Sequence, residues 1–326
     1  MSTVGDLGEF ALLQRLRPVL ASDGGAMVVG AGDDAAVWQP PLGQAIVVTT
    51  DSLAEGAHFT VPLDAPGAAD LGWRLLAVSL SDLAAMGARP GPAFISLALP
   101  PSWPVAWVEA MYQGLAECAA RFDVDLAGGN ITAAPAAVLT STCVGSVDSQ
   151  ELLRRDGAEA GWQLAATGSV GAAAARIRAA AEGQDPDPAW EQAARPIPRL
   201  TAGQVLVEAG VRVAMDISDG LYLDAGRLMG EADAEGLLID AAAIPVAPGI
   251  RERWPADWTA VVGGGEDYEL LFAAEPIDMD RALRSLADAE VPAVVIGVFD
   301  DRAGLRVLVG EEEVPPPAPG HQHFAA

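Results

Sequence analysis

The chain has 326 residues, 51% of them hydrophobic, and its 45 acidic residues outnumber 19 basic ones for a net charge of −26. Every basic residue is arginine, and the lack of lysine excludes both a lysine-bearing phosphate loop and Schiff-base chemistry on lysine. The acidity argues against nucleic-acid and anionic-membrane partners, which clustered positive charge normally holds; spread over both halves, it reads as solubility or adaptation to a salty habitat.

Residues 27–30 and 45–50 read as short strands. Leu71, Leu75, Val78 and Ala85 recur at helical spacing and predict a helix over 70–86, closed by Gly87. Ser102-Trp-Pro104 opens a second helix, with Val108, Met111, Leu115, Ala119 and Phe122 as its apolar stripe. Residues 137–147 read as a strand. The pattern then restarts with a strand at 164–167, an alanine-rich helix at 170–181, a loop at 183–188 and a break at Pro196-Ile-Pro198. Helix 202–209, strand 211–217 and helix 221–232 follow, and the tail 314–320 is extended. This alternation predicts an α/β (or α+β) protein of two domains, 1–148 and 149–326. Cys118 and Cys143 lie in apolar segments and read as reduced core residues of a cytoplasmic protein. The first ten residues lack the positive and apolar regions of a signal peptide, and no apolar run reaches the roughly 18 residues of a membrane span.

Acidic residues recur just after apolar strands, in Gly30-Ala-Gly-Asp-Asp34, Thr49-Thr-Asp51 and Asp216-Ile-Ser-Asp-Gly220. Each alone also reads as an ordinary turn. Asp82 differs, because it follows Val78 by four residues and Leu75 by seven and so lies on an apolar stripe. An acid there needs a partner, either an arginine or a shared cation. Hard oxygen ligands of this kind suit Mg²⁺. Gly128-Gly-Asn-Ile-Thr132 and Gly263-Gly-Gly-Glu-Asp267 read as glycine-rich turns whose backbone N–H groups can approach phosphate oxygens. Acid clusters with glycine turns and no lysine suggest several Mg²⁺ ions carrying a polyphosphate.

Gly8-Glu-Phe10, Gly32-Asp-Asp-Ala-Ala36, Thr49-Thr-Asp-Ser-Leu53, Glu55-Gly-Ala-His-Phe59, Ser81-Asp-Leu-Ala-Ala-Met-Gly-Ala88, Asp216-Ile-Ser-Asp-Gly-Leu221 and Gly263-Gly-Gly-Glu-Asp-Tyr-Glu-Leu270 occur in this order. Together they closely resemble thiamine-monophosphate kinase, of the superfamily that also holds aminoimidazole ribonucleotide synthetase. The resemblance implies an N-terminal domain that binds ATP and Mg²⁺ and pairs its sheet in a homodimer, followed by a C-terminal α/β domain. It implies ATP-dependent phosphorylation of thiamine monophosphate to thiamine diphosphate, assisted by several Mg²⁺ ions. By the same resemblance Asp34, Thr49, Thr50, Asp51, Asp82, Asn130, Asp216 and Asp219 are metal ligands, and Gly129, Arg155 and Ser218 contact ATP. His58, Glu266 and His321 match positions that touch thiamine phosphate, and Asp51, Asp82, Asp219 and Arg155 carry the catalytic charge.

Three positions depart from the family pattern. Asn130 stands where the family has an aspartate, Asp156 follows Arg155 where a serine is usual, and His321 replaces a C-terminal aromatic ring. A second reading therefore stays open: a relative that binds nucleotide or thiamine phosphate without catalysis, or acts on another substrate.

Overall fold

The computed structural model of the protein describes residues 2–20, 26–31, 35–317 and 320. The chain falls into two compact units, Met1–Leu83 with Arg89–Ser149 and Ala84–Ala88 with Gln150–Ala326.

In the first unit, helices α1 (Val4–Leu7) and α2 (Glu9–Leu16) precede strands β1 (Met27–Val29), β2 (Val37–Trp38) and β3 (Ala45–Ala54). Helix α3 (Ala65–Ala85), β4 (Arg89–Leu99), α4 (Val105–Phe122), β5 (Asp125–Ala133) and β6 (Val138–Val147) follow. A four-stranded sheet runs β3-β6-β4-β5, with β4 and β5 parallel and the other pairs antiparallel. Helix α3 begins five residues before the periodicity predicts. Residues 65–69 carry no apolar stripe, but the Asp64 carboxylate caps the helix by accepting the Gly67 N–H at 2.7 Å. Helices α3 and α4 approach closely, since a Cβ on Gly72 would lie 1.8 Å from the Met111 carbonyl oxygen and one on Gly114 1.8 Å from that of Ala69.

Strand β3 is also longer than expected, because it pairs with β6 over ten positions. Asp51 therefore sits inside a strand, opposite Ser141, rather than at a strand end. The segment 128–132, expected as a turn, lies within β5. Gly129 faces Ile95 of β4, and a Cβ there would come within 1.7 Å of the Ile95 carbonyl oxygen. The glycine allows the two strands to pair. Strand β4 went unpredicted because Pro90 and Pro92 obscure its pattern.

The second unit contains β7 (Gln163–Thr167), α5 (Ala172–Ala181), α6 (Leu200–Glu208), β8 (Val213–Asp216), α7 (Leu221–Gly230) and β9 (Gly236–Asp240). Then come α8 (Ile250–Arg253), α9 (Trp258–Val261), β10 (Leu270–Ala274), α10 (Pro276–Asp288), β11 (Ala293–Asp300), β12 (Gly304–Val309) and β13 (Glu312–Val314). Elements β7 to α7 match the sequence expectations within two residues at each end. Their sheet runs β13-β12-β9-β11-β7-β10-β8. Only the β12–β9 pair in it is parallel. Strand β10 and most of β7 and β8 are buried apolar runs, the pattern of strands shielded on both faces. The two cysteines are buried free thiols, as expected of core residues. Among the described residues no helix is long and apolar enough to cross a membrane.

Candidate functional site

The alternation of β3 sorts its functional side chains. Ala45, Val47, Thr49, Asp51 and Leu53 form the shielded face, while Ile46, Val48, Thr50 and Ser52 are exposed on the other. On the shielded face Thr49 donates its hydroxyl to the Asp82 carboxylate of α3. One turn earlier on α3, Ser79 Oγ donates to Asp51 Oδ2 at 2.9 Å and meets Ser141 Oγ at 2.5 Å. Ser141 in turn donates to the Leu75 carbonyl at 2.6 Å. Burial, and after it the Asp82 charge, push the Asp51 carboxyl up to about 6, with the Ser79 hydrogen bond only partly opposing them. The neighbouring Cys143 thiol is pushed up to about 12, first by burial and then by Asp51. Two carboxylates thus share one face with neutral hydroxyls. The structure brings Thr49, Asp51 and Asp82 together on one face. Thr50 presents its hydroxyl to the opposite face, where it donates to the Ser141 carbonyl at 3.1 Å and meets Thr142 Oγ1 at 3.0 Å.

His58 belongs to the turn after β3. Its Nδ1 accepts the Ala54 N–H at 3.1 Å, which places the ring proton on Nε2. On the β5 edge, Gly129 and Asn130 line a cavity of about 800 Å³ with Phe10, Arg17, Phe94 and Tyr112. Tyr112 was missed by sequence reasoning, which took it only as part of α4. Burial pushes its phenol up to about 12, so it stays a neutral hydroxyl. Its one sequence signal is polarity inside an otherwise apolar stripe.

In the second unit, Asp216 is the buried last residue of β8 and leads into the turn Ser218-Asp219-Gly220. Asp224, fully buried in the first turns of α7, organises that turn. Its Oδ2 accepts the N–H groups of Ser218 at 3.0 Å, Asp219 at 2.9 Å and Gly220 at 3.1 Å. Arg227 donates to Asp224 Oδ1 at 2.8 Å and to Asp219 Oδ2 at 2.5 Å. Burial pushes the Asp224 carboxyl up, opposed by the Asp219 and Gly220 N–H groups and by Arg227. The glycine turn 263–267 packs on this one: Glu266 N–H donates to the Ser218 carbonyl at 2.8 Å, and a Cβ on Gly220 would lie 2.1 Å from the Gly263 oxygen. Ser218 and Glu266 are thereby joined through their backbones. Glu266 lines a cavity of about 120 Å³ with Asp267, Glu269 and Arg199. Glu269 is held by Arg199 Nε at 2.6 Å and by Thr167 Oγ1 at 2.6 Å.

Arg155 is exposed. The adjoining Asp156 pairs with Arg154 at 2.7 Å. Asp34 and His321 lie outside the described residues. Among the described residues no three His, Cys, Asp or Glu side chains are gathered closely enough to form a metal cluster. The donor chemistry nevertheless fits Mg²⁺. The Asp51–Asp82 face offers carboxylate and hydroxyl oxygens, the hard donors that suit this ion.

The family described as AIR synthase related protein, N-terminal domain, matches residues 32–147. Thiamine-monophosphate kinase of Synechococcus elongatus is 35% identical over 337 aligned residues, covering 99% of this chain and 98% of that protein. Among solved structures, thiamine-monophosphate kinase from Stenotrophomonas maltophilia superposes with a TM-score of 0.81 at 35% identity, over 92% of this chain and 96% of that one. AaThiL complexed with AMPPCP and TMP superposes with a TM-score of 0.75 at 26% identity, over 98% of both chains.

Proposed function

Because the chain belongs to the thiamine-monophosphate kinase family, we propose that it transfers the γ-phosphoryl group of ATP to thiamine monophosphate, giving ADP and thiamine diphosphate. The observation that carries this reading is the full-length likeness to those kinases together with the paired Asp51 and Asp82 carboxylates beside Thr49. The acceptor is a phosphate oxygen, already ionised near neutral pH, so no strong general base is needed. The protein's task is positioning and charge stabilisation.

Thr49 and Asp51 on the shielded face of β3 and Asp82 of α3 are the proposed Mg²⁺ ligands of the first unit, and Asp216 and Asp219 those of the second. Asp34 belongs to the proposed set by resemblance. The Thr50 hydroxyl faces away, so its part runs through the backbone. Bound Mg²⁺ supplies neutralisation of the polyphosphate charge, which lysine supplies elsewhere. The cavity beside Gly129, Asn130 and Tyr112 has the volume to take a nucleotide. In the second unit, Ser218 and Arg155 are proposed ATP contacts by the same resemblance, and among the described residues no carboxylate neutralises Arg155. His58, whose Nδ1 accepts the Ala54 N–H, and, in the second unit, Glu266 are each proposed to contact thiamine phosphate by the same resemblance. The exposed Ile46 and Val48 side chains of β3 support the sheet-paired homodimer.

Purified protein with Mg²⁺, ATP and thiamine monophosphate is expected to form ADP and thiamine diphosphate in equal amounts, read by chromatography of both products. Binding of both ligands with no diphosphate formed would establish the non-catalytic reading instead. Asn130 keeps an oxygen donor but lacks the charge of the family's aspartate. Asn130→Asp is therefore expected to lower the Mg²⁺ concentration for half-maximal rate several-fold, and an unchanged Mg²⁺ dependence would remove this position from the ligand set.

A further inference from the structure

We propose that Asp224 is a positioning residue of the kinase, holding Ser218 and Asp219 in the conformation that receives metal and phosphate, and that Arg227 is an ionic latch on Asp219. The inference rests on the proposed roles of Ser218 and Asp219. Asp224 is fully buried, and one of its oxygens collects three consecutive backbone N–H groups, those of residues 218, 219 and 220.

Three donors converging on one oxygen fix three successive peptide planes. A simple turn needs no such device, because exposed N–H groups find water. Converging the N–H groups inward on Asp224 fixes the backbone from which the Ser218 and Asp219 side chains project. The return strand of the loop reinforces this, with Glu266 N–H on the Ser218 carbonyl and Tyr268 N–H on the Ile217 carbonyl, both at 2.8 Å. Gly220 completes the device, since its φ of 122° and its contact with the Gly263 oxygen admit no side chain.

Arg227 acts in the opposite sense on the same carboxylate. Its guanidinium bridges Asp224 Oδ1 and Asp219 Oδ2, so it neutralises Asp219 and competes with any cation for that oxygen. Asp224 therefore favours metal binding through geometry, and Arg227 opposes it through charge. The arrangement keeps Asp219 paired when no cation is bound and leaves Arg227 on Asp224 when one is.

The test measures Mn²⁺ binding to the full-length protein by electron paramagnetic resonance, with and without a non-hydrolysable ATP analogue, so that turnover is not the readout. Asp224→Asn keeps shape but loses the charge, and is expected to weaken Mn²⁺ affinity about tenfold. Arg227→Met keeps the aliphatic stem and is expected to strengthen it several-fold. Steady-state kinetics of Asp224→Asn should show the defect in the Mg²⁺ and ATP requirement rather than in KM for thiamine monophosphate. If Asp224→Asn only lowers the melting temperature and the folded protein binds Mn²⁺ within twofold of wild type, the positioning role is overturned. If Asp224→Asn does not fold, Arg227→Met decides alone, and weaker Mn²⁺ binding in that variant overturns the latch. Asp219→Asn is the control: Mn²⁺ binding unchanged in it would instead refute the assignment of Asp219 as a ligand.

Discussion

Asp82→Asn is expected to reduce kcat/KM for thiamine monophosphate by about 10²–10³-fold while the protein stays folded, measured by thiamine diphosphate formation alongside circular dichroism. The substitution keeps the side-chain volume and leaves an oxygen to accept the Thr49 hydroxyl. What it removes is one negative charge from the face that Asp51 shares. Asp51→Asn should cost a similar factor, and the double variant should cost much less than the product of the two, because residues that act as a unit are not additive. A loss below threefold for Asp82→Asn would remove it from the catalytic machinery and leave it as an acid satisfied by its local partners. Additive losses would show that the two carboxylates work separately.

This pair also shows what was legible in the sequence. Asp82 stands out because an acid on an apolar helical stripe conflicts with burial, and the structure gives that acid the Thr49 hydroxyl as a donor. Asp51 was found for a partly mistaken reason: it was taken as a strand end, whereas β3 continues to Ala54. Once the strand is extended, the period of two separates Thr49 and Asp51 from Thr50, a distinction that a string of three oxygen-bearing residues does not reveal. The glycines at 128 and 129 read as a phosphate-cradling turn, but both lie within β5, and it is Gly129 that the close pairing of β4 with β5 requires. Backbone approach between parallel strands leaves no trace in a single sequence beyond the glycine itself.

Asp224 was missed altogether, since an acid in the first turns of a helix reads as an ordinary complement to the helix dipole. The sequence held a fuller signal in Asp216-Ile-Ser-Asp-Gly220 followed by Asp224 and Arg227. A glycine turn at a helix start presents several N–H groups together, and an acid four residues beyond Gly220 can collect them. The fold class was accessible because β7, α5, α6, β8 and α7 each carry their own period and breakers. The order of strands in the seven-stranded sheet was not accessible, because antiparallel pairs such as β10 with β7 join residues about a hundred positions apart.

The position of Asp51 has a consequence for stability that is independent of turnover. Its folded-state pKa is raised from 3.8 to about 6, so the folded protein holds this proton more tightly than the unfolded chain does. The corresponding stability is fully present below pH 3.8 and is lost as pH rises through 6. The shift corresponds to about 3 kcal/mol. Without metal, this group therefore makes the protein less stable at pH 8 than at pH 5. Mg²⁺ acts in the opposite direction, since it binds the ionised form and stabilises the fold by mass action at pH 8, while at pH 5 it must first displace the proton. Thermal unfolding of metal-free protein should show wild type losing stability between pH 4 and 6.5 by an amount that Asp51→Asn does not lose. At pH 8 the metal-free variant should melt several degrees above wild type, at roughly 2–4 °C per kcal/mol. Saturating Mg²⁺ should then raise the wild-type melting temperature strongly at pH 8 and weakly at pH 5, and should raise that of Asp51→Asn little at either pH. A variant that melts below wild type at pH 8 without metal would mean that the Ser79 hydrogen bond outweighs burial and the Asp82 charge, and that Asp51 is a structural carboxylate held ionised by its neighbours.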